Sequence, residues 1–207
     1  MDQSETANHS SVVWQQGHVS SEDRSALLGQ RPATVWFTGL SGAGKSTLAF
    51  ALERHLTGNG RACYVLDGDN VRHGLNRDLG FSAGHRSENI RRIAEVAKLM
   101  NDAGLIVITA FISPYRADRE MARQIIGEAG FAEVHLATPM AACEQRDVKG
   151  LYQRARAGEI ADFTGISAPY ESPENPAAII DTSIISLEQA MAQLMQILEP
   201  LFGQKAM

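Results

Sequence analysis

The sequence predicts an α/β domain built as a three-layer, doubly wound, parallel five-stranded sheet, on three observations. Short β-rich runs alternate with helical stretches from Thr34 onward, the pattern of βα units whose sheet is covered on both faces. The nonapeptide Gly39-Leu40-Ser41-Gly42-Ala43-Gly44-Lys45-Ser46-Thr47 fits GxxxxGK[ST] and joins the first of these runs to the first helix. The 207 residues, 44% hydrophobic and 21% charged, suffice for one buried core.

Residues 1–31 are rich in Ser, Gln, His and acidic side chains, too polar to form a core alone. A partly flexible N-terminal arm is expected there, with Val12-Val13-Trp14 as an apolar patch that docks on this chain or on a partner subunit. The domain proper is expected over residues 32–207, with strands at 34–38, 62–66, 105–110, 132–137 and 178–181. Helices are expected at 45–56, 86–103, 116–129, 139–147 and 187–198, where apolar residues recur three to four apart. Residues 149–175 break the pattern with Gly150, Gly158, Gly165, Pro169 and Pro173. So long an excursion in a compact domain is read as a lid.

Charge and cysteine usage narrow the function. A net charge of −5 leaves no surplus of cations for a nucleic-acid backbone or an anionic membrane. Any anionic ligand must therefore meet local basic clusters. Cys63 and Cys143 stand far apart with no CxxC spacing. No basic-then-apolar leader and no apolar run near the roughly 20 residues of a bilayer span is present, so a cytoplasmic enzyme is expected.

In the nonapeptide, glycines let successive backbone N–H groups converge on a phosphate, and the following helix adds the partial positive charge of its N-terminus. Lys45 is expected to bridge the β- and γ-phosphates of ATP and Ser46 to ligate magnesium. An NKxD guanine-reading motif is absent, which disfavours a GTPase. In this fold class ligands gather at the carboxyl ends of the strands. The second strand ends there in Asp67-Gly68-Asp69-Asn70, whereas the third runs into Phe111-Ile112-Ser113 without a terminal carboxylate. Asp67 or Asp69 is thus expected to touch magnesium or the attacking hydroxyl, the alternative for Asp69 being a helix N-cap.

Arg72, Arg77, Arg86, Arg91 and Arg92 crowd one segment of an otherwise acidic chain, and Asn89 follows Arg86 by three residues on one helix face. A doubly anionic acceptor explains the crowding; a solvated helix face explains Arg92 better than Arg86. Phe81 and Phe163 stand in polar, glycine-containing segments, where each ring either stacks on a purine or pins its loop.

These residues resemble the adenylylsulfate kinase (APS kinase) family of sulfate assimilation. The blocks that carry the resemblance run from Trp36 through Thr47, Leu66-Asp67-Gly68-Asp69-Asn70-Val71-Arg72-His73-Gly74-Leu75-Asn76, Gly80-Phe81-Ser82, Glu88-Asn89-Ile90-Arg91-Arg92, Ala110-Phe111-Ile112-Ser113-Pro114-Tyr115-Arg116, Asp147-Val148-Lys149-Gly150-Leu151-Tyr152, Ala155-Arg156-Ala157-Gly158-Glu159-Ile160 and Phe163-Thr164-Gly165-Ile166. The resemblance implies a P-loop NTPase fold of the nucleoside-kinase type, with ATP and magnesium on residues 39–47 and Arg146 near the ATP adenine. It implies adenosine 5′-phosphosulfate (APS) held by Asp69, Arg72, Arg86, Asn89, Ile112, Ser113 and Lys149, with its adenine between Phe81 and Phe163. A homodimer, a lid over residues 149–164 and a phosphoserine intermediate at Ser113 also follow from it, and a functional association with ATP sulfurylase is left open. One departure is visible: His85 precedes Arg86 where the family usually carries Asp.

Phosphoryl transfer needs alignment, charge neutralisation and exclusion of water more than covalent help. Lys45 is expected to spread the developing charge and Asp69 to orient the 3′-hydroxyl. Ser113 is expected to hydrogen-bond the acceptor, since no His or Lys adjoins it to act as a base. The rivals are a P-loop kinase for another small acceptor and a catalytically silent nucleotide-binding module. Intact Lys45, Ser46 and Asp69 speak against the second.

Overall fold

The computed structural model describes residues 12, 13 and 15–203. It contains the expected doubly wound sheet of five parallel strands: β1 Thr34–Thr38, β2 Cys63–Asp67, β3 Ile106–Ala110, β4 Phe131–Leu136 and β5 Ala178–Ile180. Their order is β2-β3-β1-β4-β5. From β1 the chain goes to the edge strand β2, steps back to β3 beside β1, and then crosses to β4 and β5 on the other side, which opens a crevice at the carboxyl ends of the central strands.

Seven helices accompany the strands among the described residues: α1 Ser21–Leu28, α2 Lys45–Gly58, α3 Ala83–Asp102, α4 Arg116–Ile126, α5 Met140–Gln145, α6 Leu151–Arg156 and α7 Leu187–Phe202. Where their ends differ from the sequence expectation, local chemistry gives the reason. Helix α3 starts three residues early because the Ser82 hydroxyl accepts from the His85 N–H and caps it. Helix α4 stops at Ile126 because Gly127 turns to φ 103°. Helix α7 runs past Pro200 to Phe202, whose ring is fully buried.

Strand β1 divides the core. Val35 and Phe37 point to the layer of α2 and α7, and Trp36 points to the layer of α3 and α4, all with no exposed surface. Burial of each such side chain contributes about 1.5–3 kcal/mol, so β1 is anchored on both faces as well as on both edges. No helix among the described residues is long and apolar enough to cross a membrane.

Part of the segment read as an arm is helical. Ser20 and Asp23 form a reciprocal capping box at the start of α1, and Arg24 reaches Asp102 at 3.1 Å. Val12 and Val13 are 77% and 71% exposed, and Trp14 lies outside the described residues. The joint to the domain is Gln30, which is buried. Its amide nitrogen donates to the carbonyls of Ala62 and Gly104, both at 2.8 Å, and its oxygen accepts from the Ala62 N–H at 2.8 Å.

Because Gln30→Ala removes the side-chain partner of the buried Gly104 carbonyl and of the Ala62 N–H, while the Ala62 carbonyl keeps only the Ile106 N–H at 3.0 Å, it is expected to lower the unfolding free energy by about 2–3 kcal/mol. Denaturant titration measures the loss, and turnover per folded molecule is expected to stay unchanged.

Candidate active site

A cleft of about 620 Å³ opens at the carboxyl ends of β1, β2 and β3. Its walls include Lys45 and Ser46 on one side, Asp67 and Asp69 in the middle, and Arg72, Phe81, Arg86 and Asn89 on the other.

The glycine-rich loop has its shape because its neighbours leave no room for side chains. Gly42 adopts φ 77°, and a Cβ there would come within 2.8 Å of the Cys143 carbonyl oxygen. Gly44 adopts φ 93° at the N-cap of α2, against Thr182. Leu40, Ser41, Gly42 and Ala43 thus form a tight turn, closed by the Ala43 N–H donating to the Leu40 carbonyl at 3.2 Å. The Tyr152 hydroxyl donates to the Ser41 carbonyl at 2.9 Å. Thr47 continues the first turn of α2, on an exposed position of the cleft wall.

Lys45 is buried and donates to the carbonyls of Gly39 at 2.9 Å and Leu40 at 2.7 Å. Burial pushes its pKa down to about 8, against the opposing pull of Cys143, Asp67 and Asp69. The Ser46 hydroxyl donates to Asp67 Oδ2 at 2.6 Å. The other Asp67 oxygen accepts from the backbone N–H groups of Asp69 at 3.0 Å and Asn70 at 3.4 Å. Two hard oxygen groups thus face each other beside the cradle, the donor type that magnesium takes alongside substrate phosphates. Arg146 lies at the same end, donating to the Thr182 hydroxyl at 2.7 Å and carbonyl at 2.9 Å.

Across the cleft, Arg72 donates to the carbonyls of Leu79 and Gly80 at 2.9 and 3.2 Å and sits 4.3 Å over the Phe81 ring. Arg86 donates to the carbonyls of Phe81 at 2.8 Å and Asp162 at 2.7 Å. Burial, and then the charge of Arg86, lowers the pKa of Arg72. Two guanidinium groups thus stand near enough to repel one another on one wall of the cleft. Asn89 is buried at the base of this wall and accepts from Asn76 at 3.0 Å. Lys149 is ion-paired with Asp69 across the mouth of the cleft, which pushes the pKa of Lys149 up. Arg91 and Arg92 face away from the cleft, paired with Glu88 and Asp78. His85 does not contact Arg86 by hydrogen bond; its Nδ1 accepts from the Gly80 N–H at 2.9 Å.

Ile112 and Ser113 line the floor. The structure does not bring Phe163 to the cleft wall beside Phe81. Phe163 is 8% exposed and packs edge-on against Tyr152 at 5.0 Å, within the core cluster that includes Leu40, Met140 and Ile166. Its apolar neighbours come from distant parts of the chain, which is why its own polar segment suggested an open ring. Sequence reasoning also missed Tyr152, Thr182, Cys143 and the buried pair Arg119–Glu133 behind Ser113.

Comparison with known proteins agrees with this geometry. The family model described as adenylylsulphate kinase matches residues 31–181. An adenylyl-sulfate kinase of Shewanella amazonensis is 59% identical over 191 residues, covering 92% of this chain and 96% of that protein. The Mycobacterium tuberculosis APS kinase CysC, solved in complex with AMPPNP and APS, superposes with a TM-score of 0.78 at 50% identity, covering 82% of this chain and 98% of that one. A hexameric APS kinase from Thiobacillus denitrificans follows with a TM-score of 0.63 at 38% identity, covering 86% of this chain and 30% of that one. With its glycine-rich loop, a basic wall facing it and a match that spans most of its length, this chain belongs to the adenylylsulfate kinase family.

Proposed function

We propose that this protein transfers the γ-phosphate of ATP to the 3′-hydroxyl of adenosine 5′-phosphosulfate, giving 3′-phosphoadenosine 5′-phosphosulfate and ADP. The observation that carries the proposal is the single cleft in which the phosphate cradle of residues 39–47 faces Arg72, Phe81, Arg86 and Asn89 across Asp67 and Asp69.

ATP lies with its phosphates on residues 39–47 and its adenine toward Arg146. Lys45 leaves the loop carbonyls to donate to the β- and γ-phosphates, where its charge follows the phosphoryl group. Ser46 and Asp67 would hold magnesium together with the nucleotide's phosphates, and the ion would supply further charge neutralisation. APS occupies the opposite wall. Arg72, Arg86 and Lys149 meet its phosphosulfate, and Phe81 offers a face to its adenine. Asn89 and the backbone at Ile112 complete the pocket. Phe163 supports it indirectly, through Tyr152.

Asp69 accepts a hydrogen bond from the 3′-hydroxyl and receives its proton as the new O–P bond forms and the bond from the γ-phosphorus to ADP breaks. Lys149 balances the Asp69 charge from the lid, residues 149–175, which closes over both substrates and excludes water. Direct transfer needs no phosphoserine. The hydrogen-bond partner of Ser113 Oγ is the Trp36 N–H, a donor that cannot take a proton. A homodimer in the cytoplasm is the assembly and setting we propose from the family resemblance.

Titration of APS against ADP release, with AMP and gluconate as competing acceptors, tests the assignment; turnover confined to another acceptor overturns it. Lys45→Ala is expected to cost on the order of 3 kcal/mol in the transition state, roughly a hundredfold in kcat. The pKa of Lys45 is depressed, so its phosphate-binding ammonium is lost as pH rises through about 8. The kcat/KM for ATP is accordingly expected to fall on the alkaline side, and Lys45→Arg to move that limb beyond the accessible range. Ser113→Ala is expected to lose only about 0.5–1.5 kcal/mol of transition-state binding, the worth of one hydrogen bond. A dead variant, together with net retention at a chiral γ-phosphorus, would establish a phosphoenzyme instead.

A further inference from the structure

Ser113 is the strained point of the cleft floor. It is 2% exposed and adopts φ 39°, in the left-handed region that a non-glycine residue keeps only when its surroundings impose it. Three donors do so. The Trp36 N–H reaches Ser113 Oγ at 3.2 Å, Arg119 Nη1 reaches the Ser113 carbonyl at 2.7 Å, and the Thr38 hydroxyl reaches the Ile112 carbonyl at 2.7 Å.

The donors are themselves held. The Trp36 ring is wedged between Phe111 at 6.2 Å and Phe131 at 5.8 Å. Arg119 is fixed by Glu133 at 2.5 Å and by the Glu171 carbonyl at 2.7 Å. Both side chains are almost wholly enclosed, so neither can follow a ligand.

An indole N–H only donates, whereas a hydroxyl has one proton and two lone pairs. With one lone pair engaged by Trp36, the Ser113 proton must point elsewhere, and the open side of Ser113 is the cleft that it lines. Resting on the functional reading above, we propose that Trp36 is a positioning residue for the acceptor. Its N–H sets the rotor of the Ser113 hydroxyl so that Ser113 donates a hydrogen bond to bound APS. Trp36 itself touches neither substrate.

The test is a double-mutant cycle with Trp36→Phe, Ser113→Ala and the double variant, reading APS affinity calorimetrically in the presence of ADP and KM for each substrate. Either single variant is expected to weaken APS binding roughly three- to tenfold, the range for one lost hydrogen bond. The double variant is expected to be no weaker than the worse single one, and KM for ATP to stay within about twofold. Since β1 leads directly into the glycine-rich loop, a merely structural role for Trp36 would disturb ATP as much as APS. That result, multiplicative losses in the double variant, or an unaffected Trp36→Phe overturns the proposal. If Trp36→Phe does not fold, replacing Trp36 with benzothienylalanine exchanges the N–H for sulfur at nearly constant shape, and the same outcomes apply. Wild-type binding of APS with indifferent variants overturns the positioning role alone, whereas a wild type that does not bind APS overturns the functional reading as well.

Discussion

Strand β1 hydrogen-bonds to β3 on one edge and to β4 on the other, and the geometry of the whole cleft depends on those two parallel ladders. Thr34 to Phe37 pair in register with Val107 to Ala110, so the last residue of β3 lies level with Phe37, two residues before Gly39. The glycine-rich loop and the Phe111–Ser113 floor therefore leave the sheet side by side. Asp67, at the end of β2, pairs with Ala110 and brings its carboxylate to the same rim. Three chain segments far apart in sequence meet because parallel register leaves them no other place to emerge.

On that frame the electrostatics are local. The protein is acidic overall, yet Arg72, Arg86, Lys45 and Lys149 face one cleft. Burial lowers the pKa of Lys45, Arg72 and Arg86, which means that each pays a desolvation cost in the folded protein. On the proposed function, a polyanion entering the cleft offsets that cost. His85, which precedes Arg86, does not orient it. Arg86 takes its orientation from the carbonyls of Phe81 and Asp162, while His85 turns to the Gly80 N–H.

The fold was legible because its signals are periodic and local. All five strands and the five principal helices of the sheet layers stand where alternation and helical spacing put them, within a few residues. The glycine-rich loop and Asp67 stand at the sheet rim, where the glycine spacing and the end of β2 put them. What was not legible is long-range. Helix α1 lies in the segment read as an arm, and what ties it to the domain is the Arg24–Asp102 pair, 78 residues apart, together with the Gln30 contacts 32 and 74 residues away. The enclosure of Phe163 depends on side chains as distant as Leu40 and Met140. Its polar neighbours in sequence carry no trace of them.

The buried pair Arg119–Glu133 is the clearest case of a feature invisible in sequence yet central to the site. A buried ion pair contributes little net stability, because desolvation consumes most of the Coulombic gain. Its worth here lies in geometry. The guanidinium of Arg119 donates through Nε to Glu133 on β4, through Nη1 to the Ser113 carbonyl after β3, and through Nη2 to the Glu171 carbonyl in the segment before β5. Only a planar fork with donors in fixed directions can hold three such partners at once; a lysine ammonium on a flexible stem would leave their relative placement undefined. The charge thus serves orientation more than stability, and it links the sheet, the strained floor and the segment before β5 through a single side chain.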